Sequence, residues 1–285
     1  MREMKRPVRG ELIDVGGRSL RVVRAGPQGA RPLILLEHGA FGCAADWAVV
    51  QERLAAKGLR SLAYDRAGLG HSDPGPRPRD GRAIAADLDA LLKQLGETGP
   101  FVLVGHSMGG LMVRLFALAH PGKVLGVVLV DAMTPDVIGL RAGAQAIEAF
   151  ARVLRLAGLG ARFGLMRPVS LISGNLIGLT GEAASEKRRI HASAPHAQAA
   201  ADEVASWAAT SEQAGRGDFA PELPIAVVTA GGERNKPWLK ALQVKPALES
   251  RRGHVEHVAG SNHASLLGRR FADPIVRGVE HVLAA

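Results

Sequence analysis

FVLVGHSMGGLMVRLFALA, residues 101–119, decides how the rest of the chain is read. Phe101–Val104 is an apolar run of strand length, and the residues from Met108 onward carry helix-forming apolar side chains. Gly105-His106-Ser107-Met108-Gly109 is the turn between them, a G-x-S-x-G pentapeptide set between a strand and a helix. The two glycines suit a turn too tight for a Cβ beside the strand and the following helix. Such a turn lifts the Ser107 hydroxyl clear of a sheet and aims the Met108 N–H at any oxyanion formed there. G-x-S-x-G alone is frequent in a glycine-rich chain; its flanks give it weight.

Working outward, the same alternation continues. Strands are predicted at 20–24, 33–36, 60–64, 101–104, 126–130, 225–229 and 254–258. Ile84, Leu88, Leu91, Leu92 and Leu95 fall at helical spacing over 82–95, and Phe271, Ile275, Val279 and Val282 do so over 271–284. The expected fold is α/β: a mostly parallel central sheet flanked by helices. DPGPRPRDG at 73–81 reads as a surface loop. Residues 135–220 break the alternation with an Ala- and Gly-rich, helical stretch, expected to fold over one edge of the sheet. The core then comprises 1–134 and 221–285, with 135–220 inserted between two strands.

Composition narrows the possible functions. With 285 residues, 47% of them hydrophobic, the chain can bury one large core or two smaller ones. Its only cysteine, Cys43, allows no intrachain disulfide, and MREMKRPVRG is followed by no apolar leader segment, so a cytoplasmic protein is expected. The longest stretches without Asp, Glu, Lys or Arg, 98–113 and 168–181, are too short for a spanning helix, so no stable membrane insertion is expected. The net charge of +9 comes from basic residues scattered singly or in pairs, without a basic helix or an aromatic platform, which argues against nucleic acid. Oligomeric state is not legible.

At this point the chain resembles the α/β-hydrolase family, over nearly all its length. The resemblance rests on LLEHGAFGCAADW (35–47), YDRAGLGHSD (64–73), VGHSMGG (104–110) and GSNH (260–263), in the family's order. It implies a nucleophile elbow at Ser107 and oxyanion donors at the backbone N–H groups of Met108 and Ala40, the latter ahead of Phe41. It further implies that Asp65, Arg66 and His71 are scaffold and that 135–220 is a helical lid. Cys43 reads as packing rather than chemistry.

A serine hydroxyl needs a base, and ten histidines are available. His263, in AGSNHASLL, resembles the family's terminal histidine and is the expected base. His106 beside the elbow should shape the turn. His254 and His257, three apart on a strand, face opposite sides and make no metal pair. The third member must be a carboxylate that orients the imidazole. Many family members place an Asp after the strand matching 225–229, but this chain reads TAGGERN there, with Glu233 in that place. Asp131, ending the strand after the nucleophile, is the other candidate and is preferred because its side chain is short and held. Both remain open.

Serine, histidine and backbone donors, with no metal or cofactor motif, point to acyl transfer to water. Family dehalogenases and epoxide hydrolases carry Asp at the elbow, where this chain has Ser107. GHSMGG lacks the dinucleotide-binding pattern, so no cofactor is expected. Between Glu148 and Glu182 only Arg152, Arg155, Arg162 and Arg167 carry charge, among Leu, Phe, Ile and Met. An apolar roof of that kind suits a small ester with a hydrophobic part, with weak contact at an interface. The same residues would also serve a carbon–carbon bond hydrolase or an acyltransferase, and a slow or non-hydrolysing ligand receptor could use the same fold.

Overall fold

The computed structural model describes residues 9–29, 32–138, 141–173, 175–234 and 236–285, and within these the backbone alone at 141–144, 146, 167, 169, 172 and 173. The first eight residues of the stretch read for a leader, and the Arg167 side chain, thus lie outside the described residues. Eight strands among the described residues form one sheet: β1 (Glu11–Asp14), β2 (Ser19–Ala25), β3 (Leu33–Glu37), β4 (Ser61–Tyr64), β5 (Phe101–His106), β6 (Val124–Val130), β7 (Ile225–Ala230) and β8 (Gly253–Val258). Their order is β1-β2-β4-β3-β5-β6-β7-β8. The pairs β1–β2 and β2–β4 are antiparallel, and every later pair is parallel.

The helices are α1 (Ala48–Ala56), α2 (Gly81–Gln94), α3 (Gly109–Ala119), α4 (Pro135–Ile138), α5 (Arg141–Arg162), α6 (Met166–Ser173), α7 (Gly181–His191), α8 (Ala194–Ala205), α9 (Trp207–Ala214), α10 (Pro237–Glu249) and α11 (Asp273–Ala284). Strand alternation sorts the core into two layers. Ile34, Leu36, Val102 and Val104 face α1 and α11, where Leu54, Ile275 and Val279 meet them. Leu33, Leu35, Phe101 and Leu103 face α2, α3 and α10, where Leu88, Phe116 and Val244 meet them. Each large side chain fully buried in this way contributes about 1.5–3 kcal/mol relative to exposure.

All seven predicted strands are present, and β1 is an addition: ELID is four residues long with both ends exposed, too weak a pattern to read. Helix α2 begins where the Asp80 carboxylate accepts the Ala83 N–H at 3.0 Å, an N-cap that ends the Pro-rich loop. Helix α11 starts at Asp273 rather than 271, with Pro274 in its first turn and Phe271 in the preceding turn.

Between β6 and β7 the chain is helical from α4 to α9. These helices sit over the carboxyl ends of the strands rather than over one edge. Three buried ion pairs fix them there: Glu186 of α7 with Arg21, Lys187 of α7 with Asp46, and Glu203 of α8 with Arg66 at 2.8 Å. Asp46 and Arg66 lie just beyond the carboxyl ends of β3 and β4, so charge pairing, not only apolar contact, decides where the insertion rests. Among the described residues no helix is long and apolar enough to cross a membrane.

Candidate active site

Ser107 adopts φ 54°, a left-handed conformation that costs a non-glycine residue on the order of 1–3 kcal/mol and needs support from its surroundings. The support is on both sides: its N–H donates to Val130 O at 3.1 Å, and its carbonyl accepts from Met133 N–H at 2.9 Å and Gly110 N–H at 3.0 Å. The elbow glycines are required by contact. A Cβ on Gly109 would stand 2.4 Å from Glu37 O, and one on Gly105 would stand 2.6 Å from Gly109 O. The strand, turn and helix therefore approach as closely as backbone allows, and Ser107 is left facing a cavity.

Asp131 follows β6 directly, also at positive φ (41°), with its N–H donating to Val228 O at 2.7 Å. Its Oδ2 lies 2.6 Å from His263 Nδ1, while Oδ1 accepts from Ala230 N–H at 3.1 Å and Gln243 Nε2 at 3.3 Å. Burial by itself would push the Asp131 carboxyl up. The hydrogen bond and charge of His263, with the Ala230 N–H, outweigh that and hold it below the usual carboxylate range. The carboxylate is thus ionised and fixed on three sides. Glu233 stands exposed in the loop after β7, where its charge acts on His257, and it makes no hydrogen bond to His263. Of the two carboxylates considered, the structure brings Asp131 to the imidazole and leaves Glu233 away from it.

Ser107 and His263 line the same cavity, about 190 Å³ in volume. No hydrogen bond joins the two side chains among the described residues; in apo sites such bonds are commonly long and tighten with substrate in place. His106 is buried, stacks on the His263 ring at 4.6 Å between centroids, and pairs its Nε2 with His263 O at 3.0 Å. Burial first, then the charge of His263, lowers its pKa to about 3, so it stays neutral and donates to that carbonyl. It holds the loop that carries His263.

The backbone N–H groups of Ala40 and Met108 donate to no other protein group among the described residues. The loop bearing Ala40 is held from below by Arg66, whose guanidinium donates to His38 O at 2.6 Å and Gly39 O at 3.0 Å while pairing with Glu37 and Glu203. Asp65 accepts from Ala44 N–H at 2.7 Å and His71 N–H at 2.9 Å, which ties the two loops together. Cys43 is fully buried, and burial with nearby Asp46 pushes its thiol well up, so it packs as a neutral group. His257 meets Thr229 Oγ1 at 2.6 Å beside α10, whereas His254 stacks near His281 of α11, so the two lie on opposite faces of β8.

Phe150, Leu176 and Ile177, from the stretch read as an apolar roof, line the cavity, and sequence reasoning missed Lys187 and His191, which close it with them. No motif marks them, because they reach Ser107 only through the packing of the insertion. Phe41, at φ 54°, packs its ring at a tilt against His191 and His196 with centroids 4.4 and 4.6 Å apart, joining the loop after β3 to α7 and α8.

This packing has a pH consequence. His38, His106, His191 and His196 are all buried, and burial lowers each pKa, to about 3 for His106 and His196. Below pH about 6.5 the unfolded chain binds protons that the folded chain refuses, so each histidine costs about tenfold in the folding equilibrium per pH unit. Buried Glu37 and Glu186, whose carboxyls burial raises above their ordinary range, act in the opposite direction. A circular-dichroism titration is expected to show cooperative unfolding between about pH 5.5 and 4 for a protein of ordinary stability. A native spectrum at pH 3.5 would contradict neutral burial of these rings.

Against known proteins, the alpha/beta hydrolase fold family matches residues 32–154. A non-heme chloroperoxidase of Streptomyces lividans is 38% identical over 114 residues, 40% of this chain and 41% of that protein. Epoxide hydrolase A of Mycobacterium tuberculosis is 37% identical over 121 residues, 41% of this chain and 36% of that protein. The matched stretches span 18% to 41% of the length of the first such relatives. Among solved structures, a thermophilic esterase from Thermogutta terrifontis superposes with a TM-score of 0.67 at 21% identity, over 94% of this chain and 93% of that one, a likeness of fold alone. Residues 32–154 thus match the alpha/beta hydrolase fold family, and nearly the whole chain has that fold.

Proposed function

We propose that this protein is a serine hydrolase that cleaves a carboxylic ester with an apolar part. The observation that carries the reading is the contact of Asp131 Oδ2 with His263 Nδ1 at 2.6 Å, beside a cavity that His263 shares with a strained Ser107. Asp131 keeps the proton on Nδ1, leaving Nε2 free to take the Ser107 proton as the hydroxyl attacks the ester carbonyl. The Ala40 and Met108 N–H groups, free of other partners among the described residues, receive the oxyanion. His263 then gives its proton to the leaving alcohol, and water, activated by the same imidazole, releases the acid from the acyl-enzyme. A serine at the elbow favours this chemistry over the epoxide opening named for some relatives, since the resemblance assigns that to an elbow aspartate.

The cavity volume of about 190 Å³ lies below the roughly 300–1,000 Å³ common for drug-sized ligands. With Phe41, Phe150, Leu176 and Ile177 in its walls, it suits a short acyl group. The bulkier alcohol part would lie over Phe150 and Leu176, both partly exposed. Across p-nitrophenyl esters of graded chain length, kcat/KM is expected to peak at acetyl to butyryl and to fall at least about tenfold by decanoyl, since a chain outgrowing the pocket loses transition-state positioning. Faster turnover of decanoate than butyrate would refute a short acyl pocket. No hydrolysis of any ester in the series would refute the esterase reading.

A further inference from the structure

Helix α5 has two apolar faces. Ala151 and Leu154 point inward and are buried, packed with Val204 and Trp207 of the neighbouring helices. Val153, Leu156, Leu159 and Phe163 point the opposite way, and Leu156 and Phe163 are 67% and 80% exposed. Leu165 continues the stripe beside Gly160, and Leu171 of α6 is exposed as well. A contiguous exposed patch of large apolar side chains is unusual on a protein surrounded only by water.

Arginine dominates the charges beside this stripe, although Glu148 of α5 pairs with Arg152 and Asp202 shares the cavity that Arg162 lines. From residue 149 to 181 the sequence has no acidic residue. Arg155 and Arg162 flank the stripe and form no ion pair among the described residues. Arg162 also lines a cavity of about 710 Å³ with Arg77 and Arg79. The patch reaches the catalytic cavity, because Phe150 and Leu176 are partly exposed and also line the space beside Ser107. Apolar side chains bordered by unpaired arginines match a bilayer interface, where the first enter the acyl boundary and the second meet phosphate.

We infer that the outer face of α5 and α6 docks the protein on an anionic phospholipid surface. The inference is independent of the chemistry at Ser107, since none of the residues that would enter the lipid touches the reacting groups. The test is flotation at low salt with vesicles of phosphatidylglycerol and phosphatidylcholine. The protein should float with mixed vesicles and not with phosphatidylcholine alone. Leu156→Glu with Phe163→Glu should abolish flotation, and Arg155→Ala with Arg162→Ala should lower partitioning about thirtyfold, from roughly fivefold per arginine. Both double variants should hydrolyse a water-soluble short ester at the wild-type rate, so failed docking is distinguishable from a failed catalytic reading. Three results would overturn the inference: no flotation with anionic vesicles, flotation unchanged by Leu156→Glu and Phe163→Glu, or a dimer in sedimentation equilibrium that those substitutions dissociate while vesicles bind nothing.

Discussion

Ser107→Ala is expected to lower kcat for ester hydrolysis about a million-fold, with a melting temperature close to that of the wild type. The size of the loss follows from removing the atom that forms the acyl-enzyme. What remains is binding together with the Ala40 and Met108 N–H groups, which in triad enzymes leaves a residual rate some thousandfold above water. Folding should survive because the backbone hydrogen bonds of Ser107 to Val130, Met133 and Gly110 do not involve its hydroxyl, and the elbow glycines are untouched. Alanine meets the same left-handed φ that serine already tolerates there. A clean preparation that keeps more than a few per cent of wild-type turnover would rule out a serine nucleophile.

Asp131→Asn should lower kcat on the order of ten-thousandfold. The carboxamide is nearly isosteric and still reaches His263 Nδ1, but its NH2 group favours a proton on Nε2, the nitrogen that must accept one from Ser107. Glu233→Gln should change kcat little, because Glu233 lies exposed and does not touch His263. A thermal melt must accompany each variant, since Asp131 also accepts from Ala230 N–H and Gln243 and so helps to join β6 to the loop after β7. A large kcat loss without a matching loss of melting temperature separates orientation of the imidazole from support of the loop. Wild-type turnover by a normally folded Asp131→Asn protein would remove Asp131 from the mechanism.

Much of the sheet was legible because its strands are short apolar runs bounded by turns, a pattern that survives without tertiary context. Phe101–Val104 next to G-x-S-x-G is the clearest case, and every side chain of β5 is buried as such a run requires. ELID at 11–14 was not legible, because a four-residue edge strand exposed at both ends carries no more signal than a loop. The placement of 135–220 was misjudged for a different reason. Its composition announces helices, but it rests over the strand ends through Arg21–Glu186, Lys187–Asp46 and Arg66–Glu203, and pairs 137 or more residues apart leave no periodic trace.

The candidate site divides in the same way. Ser107 and His263 could be named because each sits in a short motif. The choice between Asp131 and Glu233 stayed open in the sequence because both follow parallel strands at plausible positions, and only the convergence of loops after β6 and β8 decides which carboxylate meets the imidazole. Lys187 and His191 had no signal at all. They become part of the cavity wall when α7 packs against the loop after β3.

The most direct test of Ser107 as an acyl-accepting nucleophile is covalent labelling by an organophosphonate, read by intact mass and peptide mapping. Phosphonylation requires a hydroxyl activated by a base and a pocket that accepts the tetrahedral phosphoryl oxygen, so it reports Ser107, His263 and the oxyanion donors together. The proposed mechanism predicts one adduct per chain, on the peptide containing Ser107, absent in Ser107→Ala and strongly slowed in His263→Ala. An unlabelled wild-type protein, or an adduct mapped to another peptide, would contradict it.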